Sequence, residues 1–265
     1  MPIPWLMDYW EAKADAVLPF LQGRPVALEL KFGDRPIYRR RRPEGGFIHV
    51  ESRADILDWA RRHCYSFHPH LADGALYFLL DIDRRDPAQP LELAAVAAGE
   101  AAALLKEASV DFALKFSGRR GFHFYWALDP AEVLEAGEGD PWPFLRRLIR
   151  GLRDRVEVRL QHSPQRDRFY RYLDPADPIT ITNAADRAHQ HSLLLDENIV
   201  HVNGSMRSPW SVHPESGLVS LPLEPEGLAA FRPEEATPEA ALRQSARQEL
   251  PFVPVGRLLP LLAEA

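Results

Sequence analysis

The sequence predicts an α/β protein of the α+β kind, a mixed sheet with flanking helices. Three observations carry that prediction. Residues 75–83 form an almost unbroken apolar run, the pattern of a strand buried on both faces. Residues 91–108 are rich in Ala and Leu and read as a helix, as do residues 142–155. The order strand, helix, strand, strand, helix then calls for a sheet with helices packed on it.

The elements follow in chain order. Residues 1–23 read as an amphipathic helix on Trp5, Leu6, Trp10, Val17 and Leu18, ending near Gly23. Residues 26–32 and 36–38 read as strands around a Gly33-Asp34 turn, and 47–50 as a short strand after Gly45-Gly46. Ser52 and Asp55 have the spacing of a capping box ahead of Ile56, Leu57 and Trp59, so a helix starts there. The buried strand 75–83 and the helix 91–108 come next. Residues 112–116 and 122–128 are strands joined by the polar turn 117–121. After the helix 142–155, residues 160–191 are polar and give no assignment. Residues 238–248 read as a helix, followed by a Pro-containing tail that packs on the rest.

Composition bounds the function. The chain has 265 residues, 46% hydrophobic and 26% charged, with one cysteine. At about 150 residues per domain this allows one large domain or two small ones. We expect a single catalytic domain over 1–265, with an N-terminal part (1–70), a core (71–232) and a C-terminal helix and tail (233–265). Cys64 alone makes no internal disulfide and no cysteine-rich zinc site. No run approaches the roughly 18 apolar residues of a membrane span. Asp8, Glu11 and Asp15 interrupt the first twenty residues, unlike a signal peptide. A cytoplasmic location and no membrane partner are the expectation.

The net charge of −6 argues against nucleic acid, but the basic residues are unevenly placed. Arg39 to Arg42 form a block, expected to contact a template strand or DNA end. Nine arginines lie between Arg146 and Arg171, and acids gather between Glu224 and Glu239. The second arginine cluster is equally a solvated helix face.

Three segments could carry chemistry. Strand alternation puts Asp81 and Asp83 on one face, about 6.5–7 Å apart along the chain. Two buried carboxylates repel, and a divalent cation such as Mg²⁺ or Mn²⁺ relieves this. Acids are also ordinary where a strand runs out into solvent. The turn Ser117-Gly118-Arg119-Arg120-Gly121, with Phe122 and His123, has the parts of a phosphate cradle: glycines that expose amides and forked arginine donors. An ordinary hairpin with solvated arginines has the same composition. Asp196 ends the apolar run 193–195, and Arg207 and His213 lie in the turn-rich segment that follows. Alone that segment is a loop. Together, three carboxylates and a basic cradle are what metal-assisted phosphoryl transfer requires.

These segments carry a resemblance. Leu80-Asp81-Ile82-Asp83, then Phe116 through His123, then Leu195-Asp196 with Arg207 through Leu223, resemble the three motifs of the archaeo-eukaryotic primase superfamily. The likeness is greatest to the small catalytic subunit of DNA primase. It covers about residues 75–232, and the first seventy residues fit more loosely. It implies a primase-like catalytic core, with Asp81, Asp83 and Asp196 as catalytic, metal-binding carboxylates. It implies that Ser117, Arg119, Arg120, His123, Arg207 and His213 hold the triphosphate of an incoming NTP or dNTP. The implied reaction is template-dependent nucleotidyl transfer: a 3′-hydroxyl attacks the α-phosphate and pyrophosphate leaves. The implied cofactors are two Mg²⁺ or Mn²⁺ ions and no zinc. The implied partners are a single-stranded DNA template or DNA ends, with an accessory replication or repair protein as a further possibility. The chain lacks the cysteine-rich zinc knob between the second and third motifs. In this it resembles bacterial primase-polymerases and the polymerase domain of bacterial end-joining ligases. Two other functions fit the same residues: a nucleic-acid or nucleotide-binding module without catalysis, and a metal-dependent nucleotide phosphohydrolase.

Overall fold

A computed structural model describes residues 3–33, 35–244 and 249–262. Helix α1 (Pro4–Val17) buries Leu6, Trp10 and Val17, while Trp5 stays exposed. It stops short of Gly23 because Pro19 cannot continue it, and a 3₁₀ turn over Leu18–Phe20 follows. Strands β1 (Val26–Phe32) and β2 (Arg35–Arg39) form a hairpin that turns at Gly33, whose φ is +63°. Asp34 of the expected turn lies outside the described residues. Helix α2 (Arg53–Arg61) starts with the expected capping box: Ser52 Oγ accepts from the Asp55 amide and Asp55 accepts from the Ser52 amide. Strand β3 (Cys64–Pro69) pairs antiparallel with β1 and completes a three-stranded sheet in the order β2-β1-β3.

The larger sheet begins with β4 (Leu76–Arg84). Helix α3 (Leu91–Glu107), strand β5 (Ala113–Phe116) and strand β6 (Gly121–Leu128) follow. Helices α4 (Pro130–Ala136), α5 (Pro141–His162) and α6 (Arg166–Phe169) lead to short strands β7 (Thr180–Ile181), β8 (Leu193–Leu195) and β9 (Pro222–Leu223). Helix α7 (Pro238–Leu242) closes the series. The order is β7-β8-β4-β6-β5-β9, antiparallel except for β7 beside β8, so the sheet is mixed as expected. No helix among the described residues is long and apolar enough to cross a membrane.

The alternation of β4 positions the site. Leu76, Phe78, Leu80 and Ile82 face the main core, beneath α3. Tyr77 and Leu79 face a smaller apolar cluster with Tyr125 and Met206. Asp81 and Asp83 continue that second face, where the apolar cover ends. The C-terminal tail docks on β6 through Ala127, which bonds both Pro251 and Val253, and it buries Val253, Leu258 and Leu261.

Several local expectations are corrected. Residues 48–50 form no strand. Phe47 makes one bridge to Arg41, and Ile48 and Val50 are apolar because they fill the core. Helix α5 runs past residue 155, since Val156 and Leu160 extend its buried stripe, and ends where Pro164 holds Ser163 extended. The polar stretch 160–191 contains the end of α5, α6 and β7. Strand β3 and helix α4 were unmarked, although Asp129 caps α4 and Pro130 opens it. The C-terminal helix is formed over Pro238–Leu242, and residues 245–248 of its expected span lie outside the described residues.

Candidate active site

Strands β4, β5 and β6 turn alternate residues away from the main core. The register places Asp81 opposite His123, Asp83 opposite Gly121 and Lys115 opposite His123. Acids, lysine and histidine therefore meet on one face of three adjacent strands. Gly121 permits the approach: a Cβ there would stand 1.8 Å from the Ile82 carbonyl oxygen and 2.8 Å from Asp83 Oδ1. Gly118, at φ +94°, lets the turn lie against the third motif, where a Cβ would come within 3.2 Å of His213 Cβ.

The turn itself differs from the expected cradle. Ser117 Oγ accepts from the amides of Arg119 (3.4 Å), Arg120 (3.3 Å) and Gly121 (3.1 Å). Those amides close the turn instead of facing a ligand, so the donors it presents are the arginine side chains. Arg120 stands 3.1 Å from Asp83 Oδ2, and Arg119 pairs with Glu215.

The facing wall comes from the small sheet. Glu29 on β1 and Ser66 and His68 on β3 surround Arg207. The Arg207 guanidinium lies 2.9 Å from Glu29 Oε2 and donates to Ser66 Oγ at 2.8 Å. His213 Nδ1 accepts from the Glu215 and Ser216 amides. Asp81, Asp83, Ser117, Arg119, Arg120, His123, Arg207 and His213 thus line a single pocket, together with His68. Asp196 is not among its lining residues. It follows β8, donates its amide to the Asp81 carbonyl at 3.2 Å, and turns its carboxylate to Asn198.

Charge in the pocket is poised. Burial, with Asp196 nearby, pushes the Asp81 carboxyl up to about 7, and burial with Asp81 does the same to Asp83. Oδ1 of each acid is buried without a hydrogen-bond partner, although His123 Nε2 lies 3.1 Å from Asp81 Oδ1. Burial lowers His68 to about 4 and His213 to about 3, the latter helped by the Arg207 charge. Burial pushes Glu29 upward, but the His68 hydrogen bond and the Arg207 charge outweigh it and bring it down to about 2. Among the described residues no group of three or more His, Cys, Asp or Glu forms a ready cation cage. Two adjacent buried acids with unpaired oxygens are nonetheless the donor chemistry that a hard divalent cation takes.

Lys115, Glu29, Ser66 and His68 were missed by the sequence reading. Lys115 had a signal: a lone lysine in an apolar strand, two residues before Ser117. Glu29 had a similar one, a lone acid in the run Val26–Phe32. His68 and Ser66 had none, because β3 itself was unmarked.

With this geometry in view, the comparisons with known proteins can be placed. The family model of the DNA primase small subunit matches residues 80–225, more than half of the 265. The chain belongs to the DNA primase small subunit family. The matched span runs from β4 through β9 and holds every site residue expected from the sequence. A solved structure, the polymerase domain from Mycobacterium tuberculosis ligase D in complex with DNA, matches with a TM-score of 0.66 at 16% identity. The match covers 89% of this chain and 86% of that one. At that identity it shows the shared fold. No curated protein sequence matches. An archaeo-eukaryotic primase-like core is therefore the architecture of this family member, and the family is one of primase- and polymerase-type nucleotidyltransferases.

Proposed function

We propose that this primase-family chain is a template-dependent nucleotidyltransferase that joins nucleotides and releases pyrophosphate. The observation that carries the reading is the pocket itself: Asp81 and Asp83 on one wall, facing Arg119, Arg120, Arg207, His68, His123 and His213. Acids and bases at that density match a nucleotide triphosphate and the cations that accompany it.

Asp81 and Asp83, with Asp196 beside them, would hold two Mg²⁺ or Mn²⁺ ions. Such ions, when bound, supply charge neutralisation at the attacking and leaving oxygens. The chain's own groups do the rest. Arg119 and Arg120 offer forked donors to phosphate oxygens, and their present partners Glu215 and Asp83 hold them at the pocket mouth. Arg207, clamped by Glu29 and Ser66, keeps a fixed cation at the back. His213 uses Nδ1 on the loop backbone, which leaves Nε2 for the ligand. A single-stranded DNA template or a DNA end is the proposed strand partner. The structural neighbour is itself in complex with DNA. NTPs or dNTPs are the proposed substrates, and an accessory replication or repair protein a further partner.

The test is template-directed synthesis on single-stranded DNA, with and without primer, with NTPs or dNTPs and Mg²⁺ or Mn²⁺. Polymer products that vanish in an Asp81→Ala/Asp83→Ala double variant are expected. Synthesis undiminished in that variant overturns the reading. Free phosphate released from nucleotides without any template would make the protein a phosphohydrolase. Strand binding with no turnover would make it a binding module.

A further inference from the structure

Lys115 is a fully buried lysine that the proposed chemistry leaves unused. It lies on β5, behind the pocket, and is not among the lining residues. Its Nζ donates to Ser220 Oγ at 3.0 Å and stands against His123 Nδ1. The Tyr125 ring closes the remaining side, 5.8 Å away. Ser220 passes its own hydroxyl proton toward the Phe116 carbonyl, so its oxygen is free to accept from Lys115. The amine is thereby held in one place by strand β5 and the loop before β9.

His123 is caught between two groups of opposite character. Nε2 lies 3.1 Å from Asp81 Oδ1, an oxygen that accepts when the acid is ionised. Nδ1 faces the lysine, whose ammonium form has donors only. A neutral imidazole carries one proton, and both neighbours place it on Nε2. We propose that Lys115 is a positioning residue: it fixes His123 in the tautomer that carries its proton on Nε2, aimed into the pocket as a donor to a phosphate oxygen of the bound triphosphate. This rests on the reading of the pocket as a triphosphate site. Without Lys115 the ring is free to place its proton on Nδ1 and present a lone pair to the phosphate, which repels it.

The tautomer is read directly by long-range ¹⁵N–¹H correlation spectra of the histidine rings. His123 protonated on Nε2 in the wild-type protein is expected, and a ring protonated on Nδ1 overturns the proposal. Binding of inorganic tripolyphosphate, measured by calorimetry, supplies the second readout. The variant Lys115→Met should bind about tenfold more weakly, the worth of one charge-assisted hydrogen bond. Because Lys115 acts through His123, adding Lys115→Met to His123→Gln should cause no further loss. Additive losses overturn the proposal and leave the triphosphate reading standing. Wild-type protein that does not bind tripolyphosphate removes that reading and this inference together. Should Lys115→Met fail to fold, the wild-type tautomer decides alone.

Discussion

Asp81 and Asp83 are acids at the end of a strand whose other residues are apolar, and their burial has a cost that depends on pH. Both carboxyls are raised from 3.8 to about 7, chiefly by desolvation. The folded protein therefore holds protons there that the unfolded chain has released. The stabilising contribution is complete below about pH 4 and disappears as pH rises toward 7. In the absence of divalent ions, Asp83→Asn should raise Tm at pH 8, by about 2–4 °C for each kcal/mol relieved. The gain should shrink to nothing by pH 4, and saturating Mn²⁺ should stabilise the wild type but not the variant. Melting curves over that range check all three outcomes. Glu29 runs the other way. Its carboxyl is held down to about 2 from 4.5, so its contribution is present above pH 4.5 and fades as pH falls toward 2. Glu29→Gln leaves Arg207 as a buried cation without its counter-charge. A loss of about 3 kcal/mol at pH 7 is expected by denaturant titration, narrowing in acid.

At the scale of elements, the site depends on how closely the turn after β5 can lie against β4. Gly121 has no room for a side chain, since the Ile82 carbonyl occupies the position of its Cβ. Gly121→Ala must push β6 from β4 just where Asp83 faces it. Synthesis should fall by at least tenfold, while the far end of the sheet, at Leu76 and Leu128, keeps its amide protection in hydrogen exchange. The capping box at Ser52 and the strand 75–83 were legible because they are local: one depends on four consecutive residues, the other on continuous burial. Strand β3 was not, because its sequence Cys64–Pro69 has neither alternation nor continuous apolarity. It is a strand because β1 pairs with it and because the Phe67 backbone meets Ser211 and Ser208.

For the whole molecule, the question is which arginines face a nucleic acid. The cluster on α5 is largely spent inside the protein. Arg146 donates to the Val200 carbonyl, Arg150 pairs with Glu197, and Arg155 holds the C-terminal tail through Pro260 and Leu261. Arg159 pairs with Glu107 and lies 3.7 Å from Glu100. This cluster pins loops to a helix. The hairpin block is different. Arg39 to Arg42 lie in an exposed segment beside exposed Phe32, Ile37 and Tyr38, and two of these arginines lie over the rings of Tyr38 and Phe47. Cations interleaved with exposed rings suit a single strand, whose bases stack on aromatic faces. Changing Arg39 and Arg41 to Glu should weaken single-stranded DNA binding and flatten its dependence on salt, by a slope of roughly one per lost phosphate contact. Changing Arg150 and Arg155 to Ala should lower stability and leave the salt slope unchanged. Fluorescence anisotropy across a salt series separates the two.

The sequence by itself determined the acid pair on one strand face, the glycine-flanked basic turn, the third-motif residues and the mixed sheet. These rest on short-range periodicity and on residue chemistry that no partner alters. The tertiary structure decided the rest. It chose Ser117 as the partner of the turn amides, brought Glu29 and His68 from a separate sheet to hold Arg207, and set Lys115 behind His123. It also left Asp196 beside the acids with its carboxylate turned to Asn198. Each of those depends on contacts between residues far apart in the chain, and such contacts are fixed by how the sheets pack, which no local pattern records.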